Sequence, residues 1–493
     1  MNPATAILAC IAVPVVGALL VTLTGRWPNV RESVTLLSAA TLFALVLFLF
    51  RGVAAGARPE ALVAEMMPGL SIAFAVEPLG MLFALVASFL WIVTSIYSIG
   101  YMRGHHEINQ TRFYACFALA LGSTMGVAFA GNLLTLFVFY EALTLSTYPL
   151  VIHSGTDEAR RAGRLYLGML LGTSIAFQLV AIIWTGWLAG TLTFTPGGIL
   201  SGKASGATVA ILLVLYVFGI AKAAVMPFHR WLPAAMVAPT PVSALLHAVA
   251  VVKAGVFAVL KITVYVFGLD AVREAASSEW LQYAAAATIV IASLVALTKD
   301  NLKARLAYST VSQLSYIVLG AMLATTWGVV GGAIHLAAHA FGKITLFYCA
   351  GAIAVASHKT EVSQLRGIGR VMPLTTFAFF VGSLSVIGLP PLGGLWGKWF
   401  LALGALEADQ AIMVAVLMAS SLLNVAYLMP IPIRGFFARA DGSAEGDKDP
   451  DRPPIAEAPI PCLVAISVST LGCVALFFYA GPMFDLLRGA VVP

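Results

Sequence analysis

Four lysines, Lys222, Lys253, Lys343 and Lys398, sit inside long apolar stretches, together with one acid, Glu141. A charge near the centre of a bilayer costs at least ~2.5–3.5 kcal/mol, so five left unanswered would cost roughly 12–17 kcal/mol. That is comparable with the stability of a whole domain. Such groups must face the protein interior, pair with one another or touch water. Snorkelling to an interface or a structural ion pair is the alternative reading for any one of them. Taken together they mark an ion or proton path, the usual role of ionisable groups within a membrane.

Their local contexts sharpen that reading. Glu141 lies in FVFYEALTLSTYP, where Tyr140, Thr144 and Tyr148 make a polar stripe at near-helical spacing. Lys222 lies in VFGIAKAAVMPFHRWLPAAM, where Pro227 removes a backbone donor and predicts a break one turn beyond the lysine. Lys398 lies in SVIGLPPLGGLWGKWF, where Pro390, Pro391, Gly393 and Gly394 predict a second break. Broken helices in corresponding places of two halves point to a transport site. Simple kinking for packing is the alternative. SALLHAVAVVKAGVF carries His247 and Lys253, and AIHLAAHAFGKITLF carries His335, His339 and Lys343 at i, i+4 and i+8, on one stripe. Histidines and desolvated lysines can both hand on protons. The histidines could equally be neutral residues bonded to a neighbouring helix. No carboxylate or thiol lies near His335 and His339 to complete a metal site. Tyr308, Ser309, Thr310, Ser312, Gln313, Ser315 and Tyr316 form an unusually polar stretch, suited to a water chain or to gluing helices together.

The elements that carry these groups follow from composition. Of 493 residues, 60% are from AVILMFWYC and 10% are charged, and mean hydropathy is +0.95. A soluble domain averages about 25% charged residues, so a soluble enzyme is excluded. The apolar runs are continuous rather than alternating, which predicts spanning helices and not a barrel. Fourteen spans are expected, near 3–24, 33–50, 79–100, 112–130, 132–152, 164–188, 208–226, 241–266, 281–298, 304–324, 327–356, 373–406 with its break, 411–433 and 460–487. On this topology 18 of the 28 basic residues fall in loops on one face and six on the other, the remaining four being the buried lysines. The positive-inside rule then places the basic loops in the cytoplasm and both termini outside. Scattered basic residues do not suggest a nucleic-acid surface. Cys10, Cys116, Cys349, Cys462 and Cys473 lie in apolar runs without a CxxC pair and read as packing residues. The first apolar run has no basic residue before it and reads as a span, not a cleaved leader. The polar insertion near 435–458, with Asp441, Glu445, Asp447, Asp449 and Asp451, reads as a solvated loop. No nucleotide, redox or metal site is visible, so no cofactor is expected.

HRWLPAAMVAPTPVSALLHAV, KDNLKARLAYSTVSQLSYIVLG, HLAAHAFGKITLFYCAGAI and GLPPLGGLWGKWF resemble the hallmark blocks of proton-conducting antiporter-like subunits. That family includes subunits of Mrp-type Na⁺/H⁺ antiporters, of respiratory complex I and of membrane-bound hydrogenases. The resemblance implies an all-α polytopic fold of about 14 transmembrane helices, with two inverted five-helix repeats, helices 4–8 and 9–13, broken at helices 7 and 12. It implies residues 1–110 as three N-terminal helices, 111–266 and 281–433 as the repeats, 434–459 as a cytoplasmic polar loop and 460–493 as helix 14 with the C-terminus. It implies that Glu141 pairs with Lys222, that Lys253 and His247 form a central relay, that His335, His339 and Lys343 bridge the halves, and that Lys398 is the terminal residue. A lysine at 398 and a chain ending just after helix 14 resemble the Mrp D subunit. His247 is more like the complex I and hydrogenase subunits, and Lys253 more like Mrp D. The implied role is proton translocation within a prokaryotic inner-membrane cation/proton antiporter, as a transporter subunit rather than an enzyme. Its partners would be other membrane subunits, protons, Na⁺ and the bilayer. A complex I or hydrogenase subunit is the alternative, and a minor one is the membrane component of an inorganic-carbon uptake complex.

Overall fold

Each of the fourteen apolar stretches is helical. Among the described residues nine helices are long and apolar enough to cross a membrane: Pro3–Leu23, Pro28–Ala54, Pro78–Gly104, Leu133–Val151, Asp157–Ala189, Ala276–Thr298, Thr326–Ser357, Ala411–Phe437 and Ile460–Phe478. The other five stretches are Gln110–Ala128, Gly206–Gly219, the run from Thr240 to Phe267, Leu302–Met322, and Pro373–Ile387 with Gly394–Glu407. Three of these five carry Lys253, the polar 308–316 stretch and Lys398, and a fourth, Gly206–Gly219, leads directly into the turn that holds Lys222. They are short, interrupted or polar because of the groups they hold. The structure, a computed structural model, describes residues 1–67, 69–438 and 455–491, without the side chains of His247, Ala490 and Val491. Asp441, Glu445, Asp447, Asp449 and Asp451 lie outside the described residues.

The helix starts are written locally. Asn2, Asn132, Thr156, Ser205, Asn301 and Thr325 each accept a first-turn N–H through the side chain, satisfying a donor the helix leaves open. Three features depart from the sequence reading. Glu60–Met67 and Leu70–Ala75 pair as an antiparallel hairpin, a stretch in which no element was expected. The helix expected to bear Lys222 ends at Gly219, before the lysine and not at Pro227. Residues 434–437 of the expected polar loop close the helix Pro430–Phe437, and Glu457 accepts from the Leu374 N–H and the Thr375 hydroxyl, both at 2.6 Å. On the same face Asp300 accepts from the Ser363 N–H and hydroxyl, at 2.9 and 2.6 Å, which holds its carboxyl below the usual range.

Thr326–Ser357 has 32 residues and is buried from Gly328 to Ile353 without interruption. It carries His335, His339 and Lys343, so its position sets where the second half can place its chemistry. Two glycines set the spacing. A Cβ on Gly397 would stand 2.7 Å from His335 Cα, and one on Gly255 would overlap the Lys222 and Ala223 backbone. These close approaches bring the two breaks against the central helices. The five cysteines are free, four buried and Cys116 half-buried.

Gly255→Val and Gly397→Val are therefore expected to lower the yield of folded protein and its melting temperature, since overpacking costs about 1–3 kcal/mol. Gly168→Ala and Gly172→Ala, where an added methyl has nothing within 4 Å, serve as neutral controls. Fluorescence-detected size exclusion across a temperature ramp checks this; equal melting of all four variants contradicts it.

Candidate functional site: a line of buried polar groups between two helix breaks

The first break runs from Ile220 to Arg230. Ala224 adopts a left-handed conformation, φ 56°, and the Trp231 indole N–H donates to the Ala221 carbonyl at 2.9 Å, holding the unwound segment. Lys222, fully buried, lies in the short turn Ala221–Ala223. Its ammonium donates to the Tyr140 carbonyl at 2.6 Å and stands 3.1 Å from the centroid of the Tyr140 ring. The Lys222 N–H donates to the Tyr140 hydroxyl at 3.3 Å. Glu141 is the next residue, and its two carboxylate oxygens are buried without a hydrogen-bond partner among the described residues. The acid and the base are thus neighbours, and the ammonium is held by a neutral carbonyl and an aromatic face.

Behind the break, Val251–Ile262 carries Lys253, also fully buried. Lys253 Nζ lies 2.5 Å from His339 Nδ1 on Thr326–Ser357. The His339 ring stacks on His335, with centroids 5.8 Å apart, and His335 stacks on Tyr316 at 5.4 Å. Both ring nitrogens of His335 are buried without a hydrogen bond to a described residue. Lys398 Nζ lies 5.1 Å from the Tyr316 ring centroid. It donates to the Ile387 carbonyl at 2.9 Å and to the Ser421 hydroxyl at 3.0 Å. Ile387 is the last residue before the second break, so unwinding frees the carbonyl that receives the lysine.

Six of the eight residues singled out from sequence thus fall into two adjoining groups. Glu141 and Lys222 lie together, and Lys253, His339, His335 and Lys398 follow one another with Tyr316 between the last two. Lys343 turns away from this line. Its ammonium donates to the Ser309 hydroxyl at 2.6 Å and to the Leu306 carbonyl at 3.2 Å. The Tyr427 hydroxyl donates to Asn424 and shares a hydrogen bond with the same Ser309 hydroxyl at 2.8 Å, making a side branch. The His247 side chain lies outside the described residues; its backbone belongs to the π-helical turn Leu245–Val249. Ser421, Asn424 and Tyr427 escaped the sequence reading. SSLLNVAYL is apolar enough to pass as lipid-facing, and three polar residues at 3–4 spacing were its one signal.

Comparison with known proteins agrees with this architecture. Residues 130–424 match the family model described as NADH:quinone oxidoreductase/Mrp antiporter, transmembrane. Residues 67–114 match that of the complex I chain 5 N-terminus. The chain is 34% identical over 424 residues to NADH-quinone oxidoreductase subunit N of Desulforudis audaxviator, covering 83% of this chain and 82% of that one. It is 31% identical to NAD(P)H-quinone oxidoreductase chain 5 of Synechocystis, spanning 67% of this chain but about half, 49%, of the relative. It is 30% identical to a probable K⁺/H⁺ antiporter protein of Rhizobium meliloti, over 69% of this chain and 33% of the relative. In fold it is similar to a chain of the Mrp complex from Dietzia sp., TM-score 0.87 at 23% identity, covering 100% of this chain and 97% of that one. A chain of an archaeal membrane-bound sulfane sulfur reductase follows at 0.86 and 23%, covering 99% and 97%. With buried lysines on a line between two broken helices, and with these matches along its length, the chain belongs to the NADH:quinone oxidoreductase/Mrp antiporter family of polytopic membrane subunits.

Proposed function

We propose that this chain is the proton-translocating subunit of a multisubunit monovalent-cation/proton antiporter, of the Mrp D type, working with other membrane subunits. All fourteen helical stretches then span the membrane, with the basic loops in the cytoplasm and two inverted five-helix repeats, 111–266 and 281–433, facing each other across the line. The observation that carries the reading is the succession Lys253–His339–His335–Tyr316–Lys398, which reaches from the neighbourhood of one helix break to the other.

The chemistry follows from which atoms hold each proton. Lys222 sits on a neutral carbonyl, so its charge depends on the distance to Glu141. When the carboxylate is near, the ammonium is stabilised. When they separate, a buried cation loses that support and the proton moves on toward Lys253. Lys253 can pass a proton to His339 Nδ1 directly, across 2.5 Å. His339 and His335 continue it by exchange at their ring nitrogens. Lys398, on the helix that follows the second break, receives it beside a backbone that must be satisfied by water or protein. Each transfer changes the charge facing the next group, so the protons move as a coupled set. Lys343, Ser309 and Tyr427 form a branch that can tune or feed this line.

A second reading, a proton-pumping subunit of a complex I or related redox assembly, is supported by the 34% identity to a subunit N over most of both chains. The two readings share residues and differ in partners. Purifying the intact complex and identifying its subunits separates them: small antiporter subunits support the first, iron–sulfur and quinone-reducing subunits the second.

Lys222→Ala and Glu141→Ala are expected to cut proton translocation by the assembled complex at least tenfold while leaving insertion intact. Glu141→Asp should keep part of the rate, because the charge survives with a shorter reach. Near-normal transport in assembled Lys222→Ala complexes overturns the assignment.

Lys253→Met and His339→Ala should each impair transport, and the double variant should be no worse than the poorer single one, since both remove one contact in series. Additive losses would mean separate routes.

At 398, a proton carrier and an electrostatic gate give opposite rankings. Glutamate titrates, whereas arginine keeps its charge but hardly releases a proton. Transport by Lys398→Glu is expected to exceed that by Lys398→Arg, with Lys398→Ala lowest. The reverse order of Glu and Arg makes the residue a gate, and full activity in all three makes it a bystander.

A further inference from the structure

One buried ion pair stands outside the central line. Lys261, only 1% exposed, and Glu77, 8% exposed, meet at 2.8 Å. They line a cavity of about 280 Å³ with Arg58, Glu60, Phe194 and Tyr265. The cavity is built from the hairpin, the 130–131 and 194–196 connections and the end of the Lys253 helix. It therefore lies at the face opposite the basic loops. The ammonium is held by two oxygens, Glu77 Oε1 and the Ala130 carbonyl at 2.7 Å. The rings of Phe194 and Phe257 flank it at 4.9 and 5.5 Å. Glu77 Oε2 has no hydrogen-bond partner among the described residues.

An ammonium and an alkali cation ask for the same surroundings: hard oxygen ligands, and aromatic faces beside them. We propose that Glu77, the Ala130 carbonyl and Lys261 form a monovalent-cation site, in which a cation and the Lys261 proton exchange one for one. The charge count favours this stoichiometry. Arg58 and Lys261 balance Glu60 and Glu77, so loss of the lysine proton to cavity water leaves one negative charge. A single monovalent cation neutralises it by taking over the carboxylate and carbonyl oxygens, and cavity water completes its shell. A divalent ion would leave an excess positive charge. On release the amine regains a proton from the same water. Among the described residues the titratable and charged groups lining the cavity beside Lys261 are Glu77, Tyr265 and the exposed Arg58 and Glu60.

Among the described residues that line the cavity there is no member of the central line. Lys253 is eight residues back along the same helix, about 12 Å at 1.5 Å per residue. Phe257 lies between, packed on Phe83 with centroids 5.0 Å apart. Cation binding would therefore be felt at Lys253 as a change of field rather than by transfer of the ion. This extends the antiporter reading by giving the chain its own cation contact.

The test reads binding rather than transport. Pro196→Cys places a thiol on the cavity wall, and its labelling by a membrane-impermeant maleimide is followed in the purified intact complex. NaCl or KCl is expected to slow labelling relative to choline chloride, and MgCl₂ at equal ionic strength is not. One-for-one competition requires the half-protecting concentration to rise about tenfold per unit fall in pH while Lys261 exchanges its proton. Lys261→Gln should keep protection and lose its pH dependence, and Glu77→Gln should abolish protection. No difference between alkali salts and choline, or an unchanged pH dependence in Lys261→Gln, overturns the proposal. Should either variant fail to assemble, the salt and pH dependence in the otherwise unaltered complex decides. Lys222→Ala should leave protection intact while stopping transport, so failure of the antiporter reading and failure of this site appear separately.

Discussion

An ammonium inside an apolar bundle has to be met by oxygen, nitrogen or an aromatic face, and the structure is arranged around where those atoms come from. Most of the buried and half-buried lysines are answered by neutral carbonyls. Lys222 reaches Tyr140, Lys343 reaches Leu306, Lys398 reaches Ile387, and Lys303, at a helix start, reaches Ala238. Lys253 meets an imidazole. A carbonyl stabilises a cation without clamping it as a close carboxylate would. The charge on such a lysine stays responsive to what happens several ångströms away, which is what a relay needs and a structural ion pair does not.

The helix breaks serve the same constraint. An intact helix consumes its own carbonyls, and only its ends have spare ones. Interrupting a helix in mid-bundle creates ends where the lysines are. The Ile387 carbonyl is available to Lys398 because its helix stops there. The first break works differently: it lays Lys222 itself into the unwound turn, and an intact neighbouring helix offers Tyr140. The long helix Thr326–Ser357 then spans the distance between the breaks with two stacked histidines. Its close packing against Gly397 fixes where they sit.

The Glu77–Lys261 pair is the exception that the same logic explains. There the carboxylate is in contact and the pair borders a cavity. The neutralised lysine is held firmly until something of like charge competes for the oxygens. The proposed relay lysines and the proposed exchange site thus differ in one contact, the carboxylate that touches Lys261.

Much of this was legible before folding. The buried lysines, Glu141 and the histidine stripe stand out because a charge in an apolar run is costly wherever the run goes. The helices are likewise local matters of hydropathy and capping. Tertiary structure decided the rest. In the sequence Lys261 stands near the end of the 241–266 stretch and counts among the six basic residues of the less basic face; only the packing of the hairpin and the 130–131 connection against its helix end buries it. Glu77, beside a proline at a helix start, carries no mark of its partner 184 positions away. Lys343 shares a helical stripe with His335 and His339, yet its longer side chain reaches Ser309 on another helix and leaves the line. The first break falls at Ile220 rather than at Pro227 because the contacts of Lys222 with Tyr140 and of Trp231 with Ala221 stabilise the unwound turn. Periodicity reports which face a residue occupies; which atoms wait on the other side depends on how the helices pack.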